Sequence, residues 1–190
     1  MKKILCILLL LLTGCSSKTS MIEIQKYVYV EKEFKDSWLE TNEFGDSYIK
    51  EELQGGYHYH FDQQFLEIFF NTGGKIELYN YSIKKNDLII SGEMIPPKTI
   101  RLVHPHLDNV TSEGVIIHEL GHYFDEKHQF SSSKQFTELY KKYRTLFNQK
   151  TKKEYFAECF KEYVGGHQEK VKPFHSYMKT ITQKIRQKNK

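Results

Sequence analysis

The chain has 190 residues, 39% of them hydrophobic and 27% charged, which is room for one globular domain and its core but hardly for two. Its formal net charge of +4 is mild and its lysines are scattered, so composition argues against a nucleic-acid-binding protein. Three cysteines, Cys6, Cys15 and Cys159, are too few for a disulfide framework and fit no zinc-ribbon spacing.

The first stretch, "MKKILCILLLLLTGC", has two lysines, a short apolar run and small residues before a cysteine, the pattern of a secretory signal. The apolar run from Ile4 to Leu12 is too short for a mature membrane span, which takes about 20 residues. "LTGC" at 12–15 resembles the lipobox of bacterial lipoproteins. That resemblance implies cleavage before Cys15, a diacylglyceryl group on its thiol and anchoring at the extracytoplasmic face of a bacterial membrane, where two acyl chains hold stably. The expected organisation is a signal peptide at 1–14, a polar tether at 15–24 containing "SSKTS", and a single domain at 25–190. Cys159 is then expected as a buried small hydrophobe.

Within the domain, "IQKYVYVEKEF" alternates and then turns charged, which predicts a strand over 25–30 and a helix through Trp38. In "GGYHYHF", His58 and His60 share one face if this is a strand; no third ligand lies near them, and an ordinary polar pair is the simpler expectation. Phe61, Phe65, Ile68 and Phe69 have helical spacing, with Asp62 in the first turn and Gly73 and Gly74 at the end. "KIELYNYSI" predicts one strand, "NDLIISGEMI" a short strand before Pro96 and Pro97, and 98–103 a further strand. His104 and His106 are expected in a loop beyond it. From there the pattern is helical: about 113–127, with Thr111 or Ser112 as cap, then 133–147, 153–165 and 174–187. The basic cluster at 179–190 reads as a solvated helix end. The fold class is α+β, a small mixed sheet packed on a helical half. With 13 Tyr and 13 Phe, the core and clefts should be rich in rings.

The chemistry concentrates in "VIIHELGHYFDEKH". His118 and His122 are i and i+4, so two imidazoles project from one face of a helix and can converge on one ion. Zinc takes nitrogen and oxygen ligands tetrahedrally, and a catalytic site keeps one position for water. Glu119, about 100° around the helix from His118, can take a proton from that water and pass it to a leaving nitrogen. Gly121 leaves the space beside them uncrowded. Asp125 continues the stripe and can accept the second ring N–H of a histidine, unless it pairs with Lys127 or His128 at the surface. Downstream, "KKEYFAECFKEYV" sets Glu154 and Glu158 one turn apart. Either can supply a third ligand while the other braces a histidine, and Glu162 beyond them is expected to reach solvent.

H-E-x-G-H-x-x-D followed some thirty residues later by E-Y-F-A-E resembles the catalytic domain of anthrax lethal factor and its small secreted relatives, the Pro-Pro endopeptidases. The resemblance covers about 61–190. It implies one zinc ion held by His118, His122 and Glu154, with Glu119 as general base and with Glu158 and Asp125 behind the ligands. It also implies a tyrosine seven residues before the ligand glutamate, as donor to the oxyanion. Here that position is Phe147; either Tyr143 or Tyr140 substitutes, or a local shift realigns the loop, or the oxyanion rests on zinc and a histidine. The expected function is a monomeric, membrane-anchored zinc metalloendopeptidase acting on a protein or peptide with proline near the cut, slowed by the missing hydroxyl. Its substrate would lie along 98–103 as an added strand. The alternative is a weak or inactive peptidase fold serving as a surface binding module; a zinc-uptake lipoprotein would be expected to carry a long His-rich loop.

Overall fold

The computed structural model describes residues 20–41, 47–85, 88–104, 113–149 and 151–189. Cys6, Cys15, His106, Thr111 and Ser112 lie outside these. The strand expected over 25–30 is two strands, β1 (Met21–Gln25) and β2 (Val28–Glu31), paired as an antiparallel hairpin. The sheet therefore begins inside the stretch read as tether. The turn between them falls at Tyr27, with φ 68°, a left-handed conformation that lacks the usual glycine or asparagine signal. Glu23 Oε1 accepts the Tyr27 N–H at 2.8 Å and the Tyr27 ring stacks on Phe70, which together hold that turn.

A 3-10 turn (Lys32–Phe34) leads to α1 (Lys35–Leu39), which buries Trp38. α2 (Tyr48–Gln54), not expected from the sequence, is capped by the Ser47 side chain and ends at Gly55 with φ 86°. α3 (Gln64–Asn71) turns Phe65, Leu66, Ile68 and Phe69 inward, and Asp62 caps its start by accepting the Gln64 N–H at 3.0 Å. There follow β3 (Lys75–Tyr79), β4 (Ile83–Lys85), β5 (Leu88–Ile90), β6 (Gly92–Ile95) and β7 (Thr99–Val103). "KIELYNYSI" is thus split between β3 and β4, which pairs only with β5.

The main sheet has the order β1-β2-β3-β7-β6, with β2, β3 and β7 parallel and β1 and β6 antiparallel at the two edges. The parallel core strands bury Val28, Val30, Ile76, Leu78, Ile100 and Leu102. This placement corrects one expectation. β7 is flanked on both sides, so 98–103 has no free edge for a substrate; among the described residues the edge strand on the side of the helices is β6.

The helical half comprises α4 (Val115–His128), α5 (Lys134–Tyr143), α6 (Lys152–Val164) and α7 (His175–Gln187). Ring contacts knit it together: Phe65 lies edge-on to Phe124 and Phe160, and Phe136 meets Phe156, Phe174 and Tyr177. Cys159 is buried among them as a free thiol. α5 stops at Tyr143, a turn short of the helix expected through 147, so Phe147 lies in the connection to α6.

Two glycines set how closely α4 packs. A Cβ on Gly121 would stand 2.9 Å from the Ala157 Cα, so the absent side chain lets α4 and α6 touch backbone to backbone. That is a different reason from the open space beside the metal ligands that the sequence suggested. A Cβ on Gly92 would stand 2.6 Å from the Val115 side chain, so this glycine lets the start of α4 lie against the edge strand.

Candidate metal centre

α4 begins at Gly114, φ 72°, and carries no side-chain cap. Its inward face buries Ile116, Ile117, Leu120, Tyr123 and Phe124. That packing leaves His118 and His122 on the face toward α6, each ring only partly exposed. α6 is capped by Thr151, whose hydroxyl accepts the Glu154 N–H at 3.2 Å, and this fixes Glu154 in its first turn. Because the helices meet at Gly121 and Ala157, Glu154 comes level with both histidines.

The geometry that results could hold a metal ion. Glu154 Oε2 lies 3.2 Å from His118 Nε2 and 3.2 Å from His122 Nε2, and the three side chains offer ligand atoms all within 4.8 Å of one another. Zinc bonds of about 2.0–2.1 Å in a tetrahedron put neighbouring ligand atoms roughly 3.3 Å apart. The two histidine–carboxylate distances therefore match edges of a zinc polyhedron, and the donor set of two imidazoles and a carboxylate suits that ion. Burial pulls His118 down, but its contacts with Glu154 and Glu158 outweigh that and lift it to about 9. The same histidine contacts push Glu154 far below the usual carboxylate range.

Glu158, one turn along α6, accepts from His118 Nδ1 at 3.2 Å and from Lys161 Nζ at 2.6 Å. It stands where it can fix the tautomer that leaves Nε2 free for a metal. Burial pushes Glu158 up, but those two partners hold it below the ordinary carboxyl value. Glu119 is 6% exposed. Burial raises its carboxyl, and the imidazoles and a hydrogen bond from the Met94 backbone counter that only in part. The bond to Met94 ties Glu119 to the edge strand β6.

His118 and Glu119 stand in the wall between two cavities. One, of about 730 Å³, is lined by His122, Glu154, Met94, Pro96, Asn148 and Gln149 among others. The second, of about 340 Å³, is lined by Ile89, Ile90, Ser91, Gly92, Val115 and Lys161. Both are lined by Ile90 and Gly92, so the two make a groove beside β6 next to the candidate metal ligands.

Asp125 lines the larger cavity, whereas several other expected site residues sit elsewhere. Asp125 is buried, and both its oxygens accept from Ser131, from the N–H and the hydroxyl at 2.6 Å each. Among the described residues no hydrogen bond joins it to a histidine, and its work is to fasten the end of α4 to the 3-10 turn Phe130–Ser132. Tyr140 packs on Tyr155, and Tyr143 packs on Phe174 while its carbonyl accepts the Tyr155 hydroxyl; neither lines the groove. Phe147 also faces Tyr155. Glu162, expected in solvent, is 4% exposed. It accepts from Tyr59, His167 and Lys170 at 3.0 Å each.

His58 and His60 belong to a loop rather than a strand: His58 pairs with Glu113, and the His60 N–H donates to the Gly165 carbonyl. His104 is buried between Trp38 and Tyr48, its ring bonded to the Ser37 carbonyl. Residues missed in the sequence are Asn148, Gln149, Lys161 and the β6 edge. Nothing in composition or spacing marks the first two, whereas Lys161, three residues after Glu158, carries a helical pairing signal.

No protein-family model matches the sequence, and no curated protein matches it. The structure is similar to that of the Pro-Pro endopeptidase PPEP-2 from Paenibacillus alvei, with a TM-score of 0.58 over 82% of this chain and 97% of that one, at 16% sequence identity. The chain thus shares the fold of that endopeptidase, and its histidine–histidine–glutamate cluster, which could hold a metal ion, fits the H-E-x-x-H plus glutamate pattern.

Proposed function

We propose that the chain is a zinc metalloendopeptidase that hydrolyses a peptide bond in a protein laid along β6. The observation that carries this reading is the joint placement of three metal donors at zinc-like spacing and a buried carboxylate beside them, in the wall of a groove bordered by a sheet edge. Bound between His118, His122 and Glu154, zinc would polarise the scissile carbonyl and make water a competent nucleophile near neutral pH. Glu119 takes the proton of the attacking water at its carboxylate and delivers it to the leaving nitrogen. The β6 backbone supplies N–H and C=O groups to an extended peptide. Among the described residues no tyrosine lines either cavity, and the donors offered to the developing oxyanion are the carboxamides of Asn148 and Gln149 and the ammonium of Lys153.

Proline near the cleavage site is part of the proposal. It is supported by the likeness to a Pro-Pro endopeptidase and by the apolar strip of Ile90, Met94 and Pro96 in the groove. So is a lipid anchor at Cys15 on the outer face of a bacterial membrane, which rests on the sequence 12–15 alone. Replacing Cys15 by Ser should move the protein from the membrane fraction to the medium, and continued membrane retention of that variant would remove the anchor from the proposal.

The test of the chemistry is cleavage of a randomised peptide library with and without a chelator, by the native chain and by Glu119→Gln. Native turnover that the chelator stops, and that Glu119→Gln lacks while still binding zinc, is the expected result. Phe147, packed on Tyr155 in place of a hydroxyl donor, favours a second reading, a binding module on this fold. A native chain that holds zinc and cleaves nothing in the library would select it.

A further inference from the structure

Lys161 lies on α6 one turn beyond Glu158, and its side chain is 16% exposed. A lysine in an ordinary surface pair keeps its stem mobile, and such a pair contributes only about 0.3–0.5 kcal/mol. Here the stem has nowhere to go. Its Cδ lies 2.9 Å from the position a Cβ would take on Gly114, the residue that starts α4, and the Tyr59 ring fills the same spot at 2.9 Å. The Gly114 carbonyl accepts the His118 N–H at 2.9 Å. At its other end the ammonium is 2.6 Å from Glu158 Oε1, while Glu158 Oε2 meets His118 Nδ1. Lys161 thus bears on the apparatus around His118 twice, once by packing where a Gly114 side chain would stand and once through the carboxylate that holds the His118 ring. The Tyr59 hydroxyl on Glu162, 3.8 Å from the same ammonium, closes the arrangement.

We propose that Lys161 is a positioning residue for the metal centre: it locks Glu158 against His118 and the first turn of α4 against α6, so that His118 Nε2 points at the cation. The inference rests on the zinc reading of the site. Loss of a group that orients a metal ligand commonly costs 10–100-fold in metal affinity, and Lys161 acts one step further out.

The test is zinc titration of the purified protein against a chromogenic chelator, with thermal unfolding of each metal-free protein alongside. Lys161→Met, which keeps the stem and removes the charge, should bind zinc about 10-fold more weakly. Lys161→Arg should restore affinity to within roughly threefold of native, a recovery that a merely space-filling role would not require. Equal zinc affinity in the native and Met proteins overturns the proposal and leaves the zinc site standing, whereas a native chain that binds no zinc overturns both. Should Lys161→Met fail to fold, Lys161→Gln is read in the same titration, and native affinity there overturns the proposal equally.

Discussion

The two ends of α6 carry the same side chain in opposite circumstances. Glu154, in the first turn, is 46% exposed and faces two imidazoles; Glu162, two turns on, is buried and faces Lys161, Lys170, His167 and Tyr59. At the Glu162 end the chain brings its own cations, so the carboxylate is neutralised by folding. Among the described residues no lysine or arginine pairs with Glu154; its partners are the two imidazoles, one of which it helps to hold protonated, and a metal ion can take the place of that proton. The difference between a structural carboxylate and a metal-binding one lies in what the chain places opposite it, since helix, residue type and four-residue spacing are shared. Glu158 stands between the two regimes, with one oxygen toward His118 and the other toward Lys161.

The sharpest way to break this comparison is to neutralise each end in turn. Structural zinc sites have apparent binding energies of about 10–16 kcal/mol over four ligands, so one ligand is worth roughly 3–4 kcal/mol. Glu154→Gln should therefore weaken zinc on the order of 10²–10³-fold, while the metal-free protein unfolds at nearly its native temperature. Glu162→Gln should do the reverse. It strands buried positive charge and should cost about 2–3 kcal/mol of stability, below the usual figure for a broken buried pair because Lys170 is half exposed. Urea unfolding of the metal-free proteins and chelator competition on the zinc-loaded ones separate the two effects. If both variants lost zinc equally and stability equally, the two ends would not differ as described.

Between those ends lies the contact that brings them into register. Gly121→Ala gains about 1 kcal/mol of helix propensity but drives a methyl into the backbone of Ala157, and such overpacking commonly costs 1–3 kcal/mol. The clash is with backbone, which cannot swing aside, so a net loss of about 1 kcal/mol is expected, together with weaker zinc binding as α4 is pushed from Glu154. A Gly121→Ala protein more stable than native, with unchanged zinc affinity, would show that the close approach of the helices does not set the site.

How much of this could be read in advance followed from how local each feature is. His118, His122, Glu119 and the α4 and α6 helices are written in four-residue spacings, and the aromatic positions at helical intervals fix which faces turn inward. Whether Glu154 or Glu158 would reach the histidines was not in that spacing; it depends on the axial offset of two helices, set by Gly121 against Ala157. Asp125 looked like a brace for a histidine because it shares their stripe, but a Ser131 beyond the helix end competes at shorter range. Glu162 was misjudged because its partners Tyr59 and His167 come from segments with no periodic signal. The substrate edge was misplaced for a comparable reason. β6 and β7 both read as short strands, and only strand order, a long-range property, decides which of them lies at the edge.

A third carboxylate, in the sheet, tests the same distinction at smaller scale. Glu77 on β3 accepts from Lys75 Nζ at 2.6 Å, the Tyr79 hydroxyl at 2.9 Å and Arg101 Nε at 3.3 Å. Burial alone would raise its carboxyl, but these donors more than offset that and hold it below its ordinary value. A group whose folded value is depressed binds its proton more readily in the unfolded chain. Its contribution is therefore fully present above the unfolded carboxyl value, about 4.3, and disappears as pH falls through the lower folded value. Lys75 and Arg101 are well exposed, so solvent and salt screen the pair and the contribution should be about 0.5–1 kcal/mol. Urea midpoints measured from pH 7 to pH 3 should show Glu77→Gln below native at neutral pH and converging with it in acid. A gap that stayed constant across that range would mean that Glu77 acts through packing, and that an internally neutralised carboxylate in this protein need not depend on its charge.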